Sequence, residues 1–301
     1  MKIIKIEHKS PRITCATWQS LQNMPEEWFK QFDMVIGDEA HGCKAKELTR
    51  ILEACSNAYR RFGFTGTLDG TTIHESVLVG LFGPVKVAAK LEKLMGDDYI
   101  TPVKIKGLVL HYSDEQRKAV SKLSYPKELE WLIKNETRNR FIRNLALSTK
   151  GNTVILYRYV EIHGELLYNQ LLKDAPDRKI YFIAGEISTI QREQIRKTVM
   201  EEEDAIIVAS IGSFAEGTNI PNLTNAIFAH PMKTRIKVLQ SIGRILRKHK
   251  DKTYAKLYDV ADDLRWKSKN NITLDHFEER VHIYASEKLP YKIYNIRVED
   301  E

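Results

Sequence analysis

Apolar residues recur along this chain in two rhythms, short runs with strand character and longer stretches with helical spacing, and the two alternate. In the first third the pattern predicts a strand at Ile13 to Ala16, then a short helix from Asn23 to Gln31 with Pro25 in its first turn. A second strand follows at Phe32 to Gly37. Next comes an amphipathic helix from Lys46 to Tyr59, with Leu48, Ile51, Leu52 and Cys55 on one face, and a strand at Arg61 to Phe64. From Lys90 to Pro102 the pattern breaks into charged and turn residues, including Gly96-Asp97-Asp98 and Thr101-Pro102. This stretch is expected to connect two domains, 1–92 and 93–301.

Beyond it, Val103 to Tyr112 is predicted as a strand and Lys127 to Ser148 as one long helix carrying Leu129, Leu132, Ile133, Ile142, Leu145 and Leu147. Strands are expected at Thr153 to Tyr157, Lys179 to Ile183, Ala205 to Ala209, Asn225 to Ala229 and Tyr254 to Val260. A helix running to Leu172 separates the first two. Ser188-Thr189-Ile190-Gln191 has the spacing of a capping box and opens another helix. Phe277, Val281 and Tyr284 are spaced for a helix, with a strand from Tyr291 to Val298, and this tail is expected to pack on the second domain. Such alternation predicts an α/β fold with mostly parallel sheets.

Composition narrows the class. The chain has 301 residues, enough for two domains at roughly 150 each, and 43% are hydrophobic. No apolar run is long enough to span a bilayer, so no membrane partner is expected. Alternating lysines and isoleucines after Met1 do not make a signal peptide. Cys15, Cys43 and Cys55 lack zinc-site spacing and suggest reduced thiols in a cytoplasmic setting; Cys43, near His41, is expected to be an ordinary thiol.

A net charge of +7 favours a polyanionic partner. Between Lys233 and Lys256 the bases Lys233, Arg235, Lys237, Arg244, Arg247, Lys248, Lys250, Lys252 and Lys256 face the single acid Asp251. Part of this run is expected to meet nucleotide, and part solvent or nucleic-acid backbone.

The candidate chemistry begins with Asp38-Glu39-Ala40-His41, placed where a strand opens into a loop. Open α/β sheets bind ligands outside the carboxyl ends of their strands. There Asp38 can hold Mg²⁺ and Glu39 can orient or deprotonate an attacking water. An acidic pair also suits a plain helix start, so it proves little alone.

Far downstream, Val238, Leu239, Ile242, Ile245 and Leu246 make a buried helical face, leaving Gln240, Arg244 and Arg247 on the other. Guanidiniums held so can stabilise the charge on a transferring phosphoryl group. Between the two lie Phe62-Gly63-Phe64-Thr65-Gly66-Thr67 and the strand pattern ending at Ser210, followed by Gly217-Thr218-Asn219. These segments offer hydroxyl and amide groups and close backbone approach to phosphate or ribose.

In that order, DEAH, TGT, SIGSFAEGTNIP and QSIGRILRK resemble motifs II, III, V and VI of the superfamily 2 helicases. ATWQSL at Ala16 to Leu21, EEWFKQFDMVIGDEAH, IAGEIS at Ile183 to Ser188 and LQSIGRILRKHKDKT resemble the phage branch, enzymes that remodel branched recombination and replication intermediates. The resemblance implies two RecA-like lobes facing across a cleft, the first incomplete, and ATP and Mg²⁺ as cofactors. It makes Asp38 the metal ligand, Glu39 the hydrolytic base and His41 a coupling residue. Gly217 and Asn219 would approach the nucleotide, Arg244 and Arg247 the γ-phosphate, and Gln240 would support them.

It also implies DNA rather than RNA as partner, in the host cytoplasm if the chain is phage-encoded. Contacts are expected from Thr17, Gln19, Thr65, Thr67, Tyr157, Arg158, Gly185, Arg192 and Ser210, with little sequence preference. No G-x-x-x-x-G-K-[ST] occurs in the 301 residues. The expectation is that about half of the first lobe lies outside this chain, either because the reading frame is incomplete or because another polypeptide supplies the P-loop. The 301 residues alone are then expected to hydrolyse ATP feebly. The rival reading is a noncatalytic DNA-binding remnant that competes with or regulates a complete helicase.

Overall fold

The computed structural model describes residues 13–68, 71–185, 188–217 and 219–298. Thr218 and the Glu186-Ile187 pair of the IAGEIS segment lie outside the described residues. The chain forms two compact units, Met1–Ala88 and Ala89–Glu301.

In the first unit α1 (Trp18–Leu21) and α2 (Glu26–Phe29) precede β1 (Met34–Gly37), a 3₁₀ turn at Ala40–Lys44, α3 (Lys46–Ala54), β2 (Arg60–Gly63) and α4 (Thr72–Phe82). β1 and β2 pair in parallel. Ile51 of α3 packs with Phe29, Cys55 and Ala58, while Leu52 packs with Cys43, Leu78 and Leu81, so α3 is held between α2 and α4. The opposite positions of the strands are uncovered: Met34, Ile36, Phe62 and Phe64 are 45%, 61%, 48% and 59% exposed. Gly63 is required by close packing, since a Cβ there would lie 2.9 Å from the Phe82 ring and 3.0 Å from Ala40 Cβ.

The expected strand at Ile13 to Ala16 is irregular backbone. Pro25 caps α2 from outside rather than standing in its first turn. α3 stops at Ala54, where Cys55 leaves helical geometry ahead of Ser56 and Asn57, residues that favour turns. α4, mostly apolar and without clear periodicity, was not anticipated from the sequence.

The second unit contains α5 (Leu91–Gly96), β3 (Val103–His111), α6 (Asp114–Val120), α7 (Tyr125–Lys134), α8 (Glu136–Ser148), β4 (Thr153–Tyr157), a π-helical turn at Val160–Gly164 and α9 (Glu165–Asp174). Then come β5 (Ile180–Ile183), α10 (Thr189–Glu201), β6 (Ile206–Ser210), α11 (Ile211–Gly217), β7 (Asn225–Phe228), α12 (Arg235–Ile245), β8 (Ala255–Asp263), α13 (Ile272–Ser286) and β9 (Tyr291–Arg297). Among the described residues seven strands form a sheet in the order β5-β6-β4-β7-β8-β3-β9, every pair parallel. The α/β expectation holds.

Alternation along the strands builds two cores. On one face Val154, Leu156, Ile207, Ala226 and Leu257 pack with Val238, Ile242 and Ile245 of α12. On the other, Ile155, Val208, Ile227 and Val260 meet Leu132, Ile142, Ala146, Leu167 and Leu171. Strands covered on both faces are apolar throughout, as β4, β6 and β7 nearly are.

Two predicted elements differ. The long helix is broken at Asn135, whose Oδ1 accepts the Arg138 N–H at 2.8 Å and starts α8 afresh. Asn competes with a continuing helix by making that local bond. The stretch from Lys90 to Pro102 is also no open connection. Leu91, Met95 and Ile100 pack on the second unit's core. The capping box at Ser188 and Gln191 is formed on both sides, at 3.2 Å each way. No helix among the described residues is long and apolar enough to cross a membrane.

Candidate functional site

In the first unit the acidic turn and the Thr-Gly-Thr turn are laced together by backbone. Phe64 N–H donates to Gly37 O and Ala40 N–H to Phe64 O, both at 2.8 Å, which carries the pairing of β1 and β2 past the strand ends. Glu39 sits in the left-handed region, φ 50° and ψ 47°, and its N–H donates to Asp38 Oδ1 at 2.9 Å. This kink leaves both carboxylate residues exposed at the end of β1.

His41 is half-buried beside them. Its Nδ1 lies 2.9 Å from Thr65 Oγ1 and 3.2 Å from Glu39 Oε2. Thr65 Oγ1 donates to Thr67 O at 3.0 Å, so it must accept from His41. Chemistry therefore assigns the proton to Nδ1, shared between the Thr65 hydroxyl and the Glu39 carboxylate. Thr67 N–H closes the loop on the same hydroxyl at 3.3 Å. Thr17, the N-cap of α1, and Gln19 on α1 are both exposed.

In the second unit the candidate residues fall into three groups. Tyr157 is wholly buried, stacked on Phe182 at 5.6 Å with its hydroxyl donating to Ile183 O at 3.2 Å. Burial pushes that hydroxyl out of the usual tyrosine range. Ser210 is also buried and acts at the start of α11, accepting Ser213 N–H at 3.2 Å and donating to Ser213 Oγ at 2.8 Å. Both residues were expected to meet a nucleic-acid strand, and both hydroxyls are hydrogen-bonded within the fold. Arg158 and Gly185 are exposed, Arg158 lying 5.5 Å over the Tyr159 ring, and Arg192 is half-buried in the first turn of α10.

The remaining candidates lie at the end of α11 and on or just after α12. Gly217 ends α11, and Asn219 has a buried Oδ1 with no hydrogen-bond partner. Gln240 and Arg244 are half-buried on α12, and Arg247 is exposed just beyond its last turn.

Two residues the motifs did not indicate fix this end. Thr101 N–H donates to Leu246 O at 2.7 Å and its hydroxyl to Arg247 O at 3.2 Å. Lys252 Nζ, almost fully buried, donates to Ile245 O, to Arg247 O at 3.0 Å and to Pro221 O at 3.3 Å. One ammonium thus ties Pro221, two residues after Asn219, to the helix that carries the arginines. Burial lowers its pKa to about 8. A lysine shortly after a helix end is a known capping signal, hidden here within a basic run. Elsewhere in that run Lys233 pairs with Glu279, Arg235 with Glu287 and Lys248 with Asp98, so less of it is available to a ligand than its charge suggests.

Comparison with known proteins places these features. Residues 136–249 match the Helicase conserved C-terminal domain, and residues 1–70 match the Type III restriction enzyme, res subunit. The chain is 33% identical over 308 residues to the ATP-dependent DNA helicase UvsW of enterobacteria phage T4, covering 98% of this chain and 60% of that protein. The crystal structure of T4 UvsW superposes with a TM-score of 0.58 at 31% identity, over 94% of this chain and 57% of that one. Residues 136–249 carry the C-terminal domain of the superfamily 2 helicases.

As in superfamily 2 helicases, the seven-stranded sheet is a RecA-like lobe, and the two-stranded sheet corresponds to part of another. The DNA 3'-5' translocase XPB2 of Sulfurisphaera tokodaii is 25% identical over 275 residues, 80% of this chain and 61% of that protein. An ATP-dependent Type ISP restriction-modification enzyme, LlaBIII bound to DNA, shares the fold at 16% identity and a TM-score of 0.62, over 94% of this chain and 23% of that one. The chain spans about 60% of the length of the phage T4 and Sulfurisphaera relatives.

Asp38 suits the Mg²⁺ that a helicase uses with its nucleotide. Among the described residues no cluster of three or more His, Cys, Asp or Glu is built for a metal. Mg²⁺ does not need one, since it binds through one or two carboxylates together with water and substrate phosphates. When bound, it neutralises charge on the phosphates. Glu39 is exposed beside Asp38, its backbone left-handed, and His41 links it to the Thr65 turn.

Proposed function

We propose that this chain is the motif II to motif VI portion of an ATP-dependent DNA helicase or translocase acting on branched recombination, repair or replication intermediates. In this reading Asp38 holds Mg²⁺, Glu39 is the hydrolytic base and His41 couples hydrolysis to Thr65 and Thr67. Gly217 and Asn219 contact the nucleotide, Gln240 supports Arg244 and Arg247, and the two guanidiniums offset charge on the γ-phosphate. Residues 1–92 belong to the first lobe and 93–301 to the second. Thr17, Gln19, Arg158, Gly185 and Arg192 contact the DNA backbone. A polypeptide segment carrying the P-loop completes the nucleotide site.

The observation that supports this most directly is the His41 to Thr65 hydrogen bond, because it joins the acidic turn to the hydroxyl turn through one side chain. The unpartnered Oδ1 of Asn219, two residues before the Pro221 carbonyl that Lys252 holds, supports a nucleotide-facing role for Asn219. The test is DNA-stimulated ATPase. The 301 residues alone should turn over feebly, and adding a polypeptide with a G-x-x-x-x-G-K-[ST] loop and its neighbouring strands should restore activity. Robust turnover without it, or DNA binding with no restoration, would overturn this reading, the second result in favour of a noncatalytic DNA-binding regulator.

A further inference from the structure

One face of the second unit's sheet carries a basic and aromatic ladder that the motifs do not include. Lys104 and Lys106 on β3, Lys256 on β8 and Lys292 on β9 occupy paired positions. Lys104 stands opposite Lys256, and Lys106 opposite Lys292. Like charges on directly paired positions disfavour the sheet. Among the described residues none of the four is ion-paired with a carboxylate.

What lies beside them instead is tyrosine. Tyr254 sits 4.2 Å from Lys104 Nζ and 5.5 Å from Lys256 Nζ; Lys106 lies 5.6 Å from the Tyr258 ring and 5.9 Å from that of Tyr294, which Lys292 approaches at 5.2 Å. The rings hold the ammoniums in place by cation–π attraction without neutralising them.

Placement separates this ladder from the motif loops. Lys104, Lys256 and Lys292 are each the second residue of their strands. All seven strands are parallel, so the ladder lies toward the amino ends, whereas Arg158 and the α11 segment follow the carboxyl ends of β4 and β6. Adjacent strands lie about 4.8 Å apart, so three of them spread the charges over about 10 Å. One strand of a duplex carries a phosphate every ~3.4 Å of axis, so that width spans about three phosphate-to-phosphate steps.

We infer that this ladder is a second, sequence-independent nucleic-acid site, binding the phosphodiester backbone away from the motif-lined edge. Four unpaired lysines call for a polyanion, and a row of fixed charges beside rings fits a continuous backbone.

The test uses the full 301-residue chain without nucleotide, so its result is independent of the ATPase reading. Fluorescence anisotropy follows binding to a single-stranded oligothymidylate and to a duplex, from about 50 to 200 mM salt. The variant K104E/K106E/K256E/K292E should bind at least about tenfold more weakly at low salt, with the slope of log K against log salt flatter by about 2 to 3. K104Q/K106Q/K256Q/K292Q should move the same way by less, and it guards against misfolding from charge reversal. A charge-matched control, K118E/K122E/K173E/K197E, should keep the wild-type slope. Loss on either nucleic acid supports the site. Unchanged slopes in both patch variants, or an equal change in the control, would overturn it.

Discussion

The imidazole Nδ1 of His41 and the hydroxyl of Thr65, 24 residues apart in sequence, lie 2.9 Å from each other, with the hydroxyl already committed as donor to Thr67 O. The bond therefore has one direction. His41 should carry its proton on Nδ1, and long-range ¹⁵N NMR correlations should show that tautomer dominant. Thr65→Val should cost about 1 kcal/mol, raise the Nε2–H fraction, with Glu39 left as the remaining acceptor at Nδ1, and reduce DNA stimulation of ATPase in the completed motor. An unchanged tautomer ratio in that variant would count against the coupling role.

Lys252 gives a pH signature. Its folded-state pKa of about 8 lies below the ~10.4 of an unfolded lysine. Between those values the unfolded chain binds more protons, so wild-type stability should rise with pH there and stay flat in this respect below 8. Lys252→Met should abolish the slope and, by leaving Ile245, Arg247 and Pro221 carbonyls without their donor, cost about 1–3 kcal/mol. Urea titrations from pH 7 to 10 would decide, and parallel curves for both proteins would refute the assignment.

Acid should act through two histidines. His163 and His230 are buried with neither ring nitrogen hydrogen-bonded, and burial lowers their pKa values to about 3 and about 2. Unfolding raises each toward ~6.5, so stability should fall as pH drops below that value, by up to ~1.4 kcal/mol per pH unit per histidine. The double variant H163Q/H230Q should lose most of this dependence between pH 6.5 and 4. Retention of the full slope would assign acid sensitivity elsewhere.

The Arg280 and Asp259 pair is wholly buried, held by three contacts of 2.8 to 3.1 Å, with Tyr284 donating to the same carboxylate. Arg280→Met should destabilise by about 3–5 kcal/mol because it strands a buried carboxylate. A companion Asp259→Leu change should recover part of that loss. Chemical denaturation of the single and double variants measures both.

Catalytic roles are separable once turnover is established in the completed protein. Glu39→Gln should lower kcat by about 10²-fold or more, and Arg247→Ala by about 10³-fold or more, while nucleotide binding persists. Turnover equal to wild type in either variant would remove that residue from the mechanism.

Much of the second unit was legible in its pattern because β4, β6 and β7 are covered on both faces and so are nearly continuous in Val, Ile, Leu and Phe. The Ser188 capping box was legible for a local reason, since both partners lie within one turn. Asn135 was not, because apolar spacing continues on either side of it and only the side-chain bond to Arg138 N–H breaks the helix. Candidate residues were chosen by functional group, which cannot distinguish an exposed hydroxyl from the buried ones of Tyr157 and Ser210. Lys252 was hidden by its basic neighbours. The partners of Arg138 and Arg280, Asp262 and Asp259, are set by tertiary approach that no local spacing encodes.

The first unit's two strands have one further consequence. Two parallel strands of four residues, with Met34, Ile36, Phe62 and Phe64 open to water, are a poor cooperative unit. Amide protons at Ile36, Phe64 and Ala40 should exchange far sooner on warming than those of β4 or β6, whose sheet is sealed on both sides. In these 301 residues the acidic turn would then lose its shape while the arginine-bearing helix is still intact, so heat would melt the first unit well before the second.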